Sequence, residues 1–466
     1  MRLIAATLLL TASLTAVSGQ SLRPSQQLAR DVLKELVEIN TVTATGDTAK
    51  AADAMASRLR AAGFKSDDVQ VFRPAPRKGN IVARLRGTGK RKPILLLAHL
   101  DVVDAKREDW KTDPFQLVEK DGRFYGRGVM DDKGMAAIFV ANLIRFKQEG
   151  FRPDRDIILV LETDEETGDP DAVGIQWLIK NQRDAIDAEY ALNEDGYVYA
   201  RDGKPFASQI QRSEKVHVTY RLEAKNPGGH SSIPSRDNAI YHLADALARL
   251  ARFDFPPVLD EATRTYFREL SKLEQGQVSA DMNAVALGNP DAAALARLSA
   301  IPAHNAQLRT TCVATMLDGG HAGNALPQAA RATVSCRVWP GMPFEEVRQT
   351  LVRVIADPEV TVTQTNHAEQ VPSSPPNPEL TRAIKKHSAD IWPGVPLVPA
   401  LNPAGTSGKF LRAAGIPTYG HSGIVVDMRN INGKHGRDEH LGVKDFFDDQ
   451  EYLYRVVKEL SGSKAN

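Results

Sequence analysis

The segment Pro93-Ile-Leu-Leu-Leu-Ala98-His99-Leu100-Asp101 begins as an unbroken apolar run and ends on an imidazole and a carboxylate. A short apolar run of this kind is what a strand buried on both faces shows, so His99 and Asp101 are expected at a strand's C-terminal end. The arrangement recurs where Ile157-Ile-Leu-Val-Leu161 leads into Glu162-Thr-Asp-Glu165-Glu166. Between the two lies Gly126-Arg-Gly-Val-Met-Asp131-Asp132-Lys-Gly134. In an open α/β sheet, ligands bind in the crevice outside the strand C-termini, which would bring these distant segments to one place.

Outward from these segments the chain alternates. Helical spacing is read over residues 27–40, 48–62 and 133–148, with Gly63 and Gly150 as stops. Strands are read at 80–85, 93–98, 156–161 and 190–192, with a helix at 171–182. This is the alternation of a layered α/β domain. After about Pro205 the pattern changes: residues 215–222 alternate like a half-exposed strand, 238–252 form an amphipathic helix, and strands at 310–317 and 330–338 make a hairpin. A smaller α+β domain inserted within the first is the expectation. Residues 253–306, with scattered Pro, Asn and Ala, yield no clear element. Pro372 to Pro378 reads as the connection back to the first domain, whose last helix is expected over 444–460. There is no internal repeat and no extended low-complexity tract. The resulting division is a leader at 1–20, a catalytic domain in two parts at 21–208 and 368–466, and an inserted domain at 209–367.

A length of 466 residues exceeds what one hydrophobic core usually supports, in keeping with two domains. With 59 basic and 58 acidic residues the chain has no basic field for nucleic acid. Met1-Arg2, the apolar residues 3–10 and the small residues through Ser18 have the three regions of a secretory signal. The competing reading, an uncleaved anchor, needs a longer apolar run than this one. Secretion or a periplasmic location is therefore expected, with no membrane association after removal of the leader. Cys312 and Cys336 are the two cysteines of the chain, too few for a thiolate zinc site. A hairpin folded about position 324 sets them opposite one another, either as a disulfide or as two buried thiols.

A two-metal hydrolytic site needs a carboxylate that bridges both ions, terminal ligands on each, and a free carboxylate to take a proton from water. Asp131, presented by its glycine-flanked turn, suits the bridge, although an Asp before a helix is often only an N-cap. Adjacent Glu165 and Glu166 diverge at a strand end, so one can bind metal while the other faces substrate. Asp101 lies on the same face as His99 and is expected to hold its imidazole in the tautomer that frees the other nitrogen for metal.

Together, His99-x-Asp101, Gly-Arg-Gly-x-x-Asp131-x-Lys-Gly and Glu165-Glu166 resemble the dinuclear zinc metallopeptidases that include aminoacylase, carboxypeptidase G, carnosinase, carboxypeptidase S and succinyl-diaminopimelate desuccinylase. The resemblance runs through nearly the whole mature chain. It implies a zinc-peptidase-like catalytic domain, with a central mixed sheet flanked by helices, and an inserted ferredoxin-like lid or dimerisation domain. It also implies His99 on one zinc, Asp131 bridging, Glu166 on the other zinc and Glu165 as general base. Of Glu194 and Asp195, the residue before Gly196 matches the family pattern, so Asp195 is expected as a further ligand. His435, four residues before Glu439, is expected to complete the second site, with His440 as competitor. His230 in Gly228-Gly229-His230 resembles the family histidine that reaches a partner subunit's active site and stabilises the oxyanion. Asn324, Arg337, Gly405 and Thr406 resemble substrate-binding positions. The family usually carries Asp after the glycine turn, where this chain has Ser407-Gly408-Lys409.

The expected function is a secreted two-zinc hydrolase, with cobalt or manganese as possible substitutes, that cleaves a peptide bond as a carboxypeptidase or dipeptidase and assembles as a homodimer through the inserted domain. The long stretch between that domain's first helix and its hairpin resembles the carboxypeptidase S branch. The rivals are an N-acyl amino acid amidohydrolase, a non-catalytic binding protein on the same scaffold, and a two-metal phosphoesterase, which lacks a cationic cluster beside the metal motifs.

Overall fold

A computed structural model of the chain describes residues 21–167, 172–427, 429 and 431–462. The leader read at 1–20 and the first residue of the helix read at 171–182 lie outside the described residues; the helix there is Ile175–Asn181.

Strand Ile94–His99 sits inside a ten-stranded mixed sheet, parallel to Ile157–Glu162 on one side and Tyr190–Asn193 on the other. All six of its residues are buried. Successive side chains point to opposite faces, so Ile94, Leu96 and Ala98 enter one apolar layer while Leu95 and Leu97 enter another. The first layer is closed by helices Pro24–Glu38, Thr48–Ala61, Lys133–Gln148 and Val443–Ser461, the second by Ile175–Asn181 and Gly408–Ala413. Burial on both faces explains why the strand reads as an unbroken apolar run. Because the strands are in register with His99 opposite Glu162, their polar C-terminal residues emerge side by side.

The inserted unit has the order strand Val216–Lys225, helix Ala239–Leu250, strands Thr311–Gly319 and Ala329–Val338, helix Phe344–Ile355 and strand Val360–Gln364. Its antiparallel sheet runs 311–319, 329–338, 216–225, 360–364, which is the ferredoxin-like βαββαβ arrangement. Cys312 and Cys336 are direct cross-strand partners and form a disulfide.

Two expectations are revised. Strand Lys204–Glu214 belongs wholly to the large sheet, pairing with Val198–Arg201 and Leu397–Asn402, so the chain leaves that sheet at Lys215 rather than after residue 208. It returns beside its point of departure, where the Ser374 N–H donates to the Arg212 carbonyl at 2.8 Å. The stretch 253–306 is also regular: helices Glu261–Ser271, Gly276–Leu287, Ala292–Ser299 and Pro302–Leu308 fill it. Asp260 and Asp291 cap two of them. Tyr266, Phe267, Leu270, Met282, Val285, Leu298 and Leu308 pack against Ala207, Val398 and Ala400 of the large sheet.

Among the described residues no helix is long and apolar enough to cross a membrane.

Candidate metal centre

His99 ends its strand with the ring nearly fully buried. Its Nδ1 lies 2.9 Å from the backbone carbonyl of Asp101, and an N–H donated there leaves Nε2 free. Nε2 faces Asp131 Oδ1 at 3.3 Å and Glu194 Oε2 at 3.5 Å. On the other side of Asp131, Oδ2 lies 2.8 Å from His435 Nε2, which is itself 2.8 Å from Glu166 Oε1. Two ligand-capable triads, His99–Asp131–Glu194 and Asp131–Glu166–His435, therefore share one carboxylate.

Local chain geometry makes this convergence possible. Gly128 adopts a left-handed φ of 89°, and a Cβ on Gly134 would lie 2.3 Å from the Val129 carbonyl, so both positions of the Asp131 turn need glycine. The buried Lys133 donates from Nζ to the Ile39 carbonyl at 2.9 Å, and burial lowers its pKa to about 7.

Asp101 acts differently from expectation. Its carboxylate is 3.8 Å from His99 Nδ1, and it is the backbone carbonyl that holds the imidazole. The carboxylate instead accepts the N–H groups of Glu165 and Glu166, at 3.2 and 2.9 Å, and so fixes the turn that carries both glutamates.

The choice of Asp195 over Glu194 is also corrected. Asp195 has a left-handed φ of 68°, which turns its side chain out of the strand's alternation. Its carboxylate accepts from Asn402 Nδ2 at 2.7 Å and from Lys434 Nζ at 3.3 Å, while Glu194 reaches His99. Glu194→Ala is expected to lose one of two bound ions, whereas Asp195→Ala should keep both; inductively coupled plasma analysis of dialysed protein reads the difference directly. Equal metal loss in the two variants would reverse the assignment.

Of the two late histidines, His435 reaches the centre. His440 has its Nδ1 beside the Asp438 carbonyl and packs against Tyr125. Sequence reasoning passed over two neighbours. Lys434 Nζ lies 3.1 Å from Asp131 Oδ2, and the fully buried Glu439 accepts N–H bonds from Gly128, Met130 and Asp131 and a 2.7 Å bond from Arg127. A glycine-rich loop with several inward N–H groups requires a buried acceptor, and an acidic residue four positions after His435 was the available signal.

Burial pushes the Glu165 carboxyl well up, with the charge of Glu194 adding to it, and burial raises Glu194 to about 6. Hydrogen bonding to Asp131 and Glu166 raises His435 to about 10. Crowded carboxylates with two imidazoles, arranged as two triads on one shared carboxylate, are a donor set that divalent metal ions satisfy.

The remaining residues of interest lie elsewhere. His230 and the neighbouring Asn324 sit at an exposed two-stranded ribbon, Gly229–His230 against Ala325–Leu326. His230 Nδ1 accepts from Ser232, and among the described residues neither His230 nor Asn324 bonds to the ligand set. Arg337 is half-buried on the inserted sheet. Gly405 and Thr406 follow strand Leu397–Asn402, where the Thr406 N–H donates to Glu214, a carboxylate also paired with Arg412.

Fold and site together define a metal-dependent hydrolase of the metallopeptidase type, acting on amide bonds. Residues 95–459 match peptidase family M20/M25/M40, and the chain belongs to that family. It is 29% identical over 357 residues to the N-fatty-acyl-amino acid synthase/hydrolase PM20D1 of Xenopus tropicalis, covering 75% of this chain and 69% of the relative. It is 28% identical over 374 residues to the probable carboxypeptidase S-like 2 of Dictyostelium discoideum, covering 79% and 71%. The fold is similar to that of the M20 family metallo-carboxypeptidase Sso-CP2 from Sulfolobus solfataricus, with a TM-score of 0.68 at 18% identity over 92% of this chain and 98% of that one.

Proposed function

We propose that this protein is a secreted or periplasmic two-zinc hydrolase that releases a C-terminal amino acid from a peptide. The observation that carries the reading is the pair of ligand triads joined at Asp131, with Glu165 left over beside them. His99, Asp131 and Glu194 would hold one ion, and Asp131, Glu166 and His435 the other. Bound there, the ions would polarise the scissile carbonyl and make water acidic enough to attack near neutral pH. Glu165 would take the proton from that water and return it to the leaving amine nitrogen, for which a carboxyl raised by burial is suited. His230, on the inserted domain, would serve the oxyanion of a second subunit.

Two features support the setting. The Cys312–Cys336 disulfide fits an oxidising compartment. Strand Thr311–Gly319 is an edge of its sheet and leaves Val313, Met316 and Leu317 exposed, an apolar edge of the kind that dimerisation covers.

A second reading, hydrolysis of N-acyl amino acids, is favoured by the similarity to the N-fatty-acyl-amino acid synthase/hydrolase of Xenopus tropicalis. Both substrates present an amide whose leaving amine belongs to a free amino acid. The test is a panel of dipeptides, longer peptides and N-acyl amino acids presented to zinc-, cobalt- or manganese-loaded protein. Release of amino acid from peptides is expected, and activity confined to N-acyl amino acids would select the second reading. In the same panel His230→Ala should lose turnover with metal content unchanged; loss of metal would show that its role is misassigned.

A further inference from the structure

In the inserted domain, a histidine outside the metal centre stands between two carboxylates. His242 lies on helix Ala239–Leu250; its Nδ1 is 2.7 Å from Asp357 Oδ2 and its Nε2 3.2 Å from Asp237 Oδ1. A neutral imidazole donates from one nitrogen only, so bonding both carboxylates requires the imidazolium. The bond to Asp357 holds the His242 pKa above the ordinary imidazole value against the opposing effect of burial, and Asp237 adds to it. Asp357 is the more buried acid, at 13% side-chain exposure against 69% for Asp237, and its Oδ1 accepts the Glu359 N–H at 3.0 Å. Arg249, on the same helix as His242, is the neighbouring cation and donates to the Ala356 carbonyl at 3.2 Å.

What this clamp holds is the loop that carries His230. Asn226 Nδ2 donates to Asp237 Oδ1 at 2.8 Å and to the Asp237 carbonyl at 3.2 Å, so the two ends of the 226–237 loop are tied to one another. Asn226 Oδ1 accepts the Gly228 N–H at 3.1 Å, and the Asn226 N–H donates to the Gln328 carbonyl at 3.0 Å. Within the loop, the Ser232 N–H donates to His230 Nδ1 at 3.1 Å, which makes Nδ1 an acceptor and leaves the proton of a neutral ring on Nε2. The loop therefore presents an N–H donor, the kind of group that stabilises an oxyanion. The ribbon with Ala325–Leu326 fixes its middle, and Asp237, His242 and Asp357 bind its end to the helical side of the domain.

We propose that His242 is a positioning residue for His230, anchoring through Asp237 the loop that carries it. This rests on the oxyanion role proposed above for His230. Both N–H donors of His242 are present below the ordinary imidazole pKa, and one is lost as pH rises through the raised value. The longer bond, to the exposed Asp237, is the one given up. The end of the loop is then released, and turnover falls while metal binding and KM hold.

The test is a double-mutant cycle on the best substrate of the panel, comparing wild type, His242→Gln, His230→Ala and the pair, with turnover followed from about pH 6 to about pH 9. Glutamine keeps one donor, as a neutral imidazole does. His242→Gln should lower kcat about three- to fivefold at the acid end, the effect of a partly exposed ion pair, with KM and metal content unchanged. The deficit should shrink toward none at the alkaline end, where the wild type has lost the same donor. In the His230→Ala background the substitution should cost nothing further. Asp237→Ala cuts the same link at its exposed end and should reproduce the acid-end loss, so it carries the test if His242→Gln does not fold. A deficit of equal size in both backgrounds, a deficit that does not vary with pH, or no deficit in either variant would overturn the proposal. Full turnover in His230→Ala, or a wild type that hydrolyses no substrate of the panel, would instead remove the underlying reading, and the proposal with it.

Discussion

Glu165→Ala protein is expected to bind its metals as the wild type does and to hydrolyse substrate about 10²- to 10⁴-fold more slowly. In neither triad is Glu165 a member, so under the proposed function its removal takes away the base and no ligand. The backbone there should survive, because the Asp101 carboxylate holds the N–H groups of residues 165 and 166 whatever the side chain. Single-turnover rates beside a metal titration make the check. Loss of an ion on substitution would place Glu165 in the ligand set, and an unchanged rate would move the proton transfer to another group. Glu165→Asp, with its carboxylate drawn back by one methylene, is the informative companion.

Glu439→Ala should do its damage through architecture. Glu439 holds the Asp131 turn by three backbone N–H groups and the buried Arg127, whose side chain is 3% exposed. Alanine would leave a buried guanidinium without its counterion and the loop donors without an acceptor. Breaking a buried pair from one side costs about 3–5 kcal/mol. The bridging carboxylate should lose its position too, so a large fall in melting temperature should accompany weakened binding of both ions. Glu439→Gln, which keeps an acceptor oxygen, should fall between. An alanine variant that melts with the wild type and retains both ions would show that the turn holds itself.

The fold and site were unequally legible in the sequence. His99, Glu165 and Glu166 stand directly after apolar runs, and Asp131 and His435 within short motifs, so each announces itself within a few residues. The structure gathers His99, Asp131, Glu166 and His435 into the two triads. The choice between Glu194 and Asp195 turns on one backbone φ at the end of strand Tyr190–Asn193, and two adjacent acids carry no trace of it. Whether the carbonyl or the carboxylate of Asp101 holds His99 is likewise invisible, since one residue supplies both. The helices of 253–308 went unread because they are short and their apolar residues face the large sheet only after a distant strand, Leu397–Asn402, has been placed.

The bond between Arg127 and Glu439 spans 312 residues of sequence. The loop that offers Asp131 is therefore synthesised some 312 residues before the group that locks it and the neighbouring His435. Contacts so far apart form only after the intervening chain has closed around them. A nascent chain thus carries an incomplete cation trap, and its metal is selected where folding finishes. In a chain exported before folding, that choice would belong to the ion pool of the destination rather than to the ions around the ribosome.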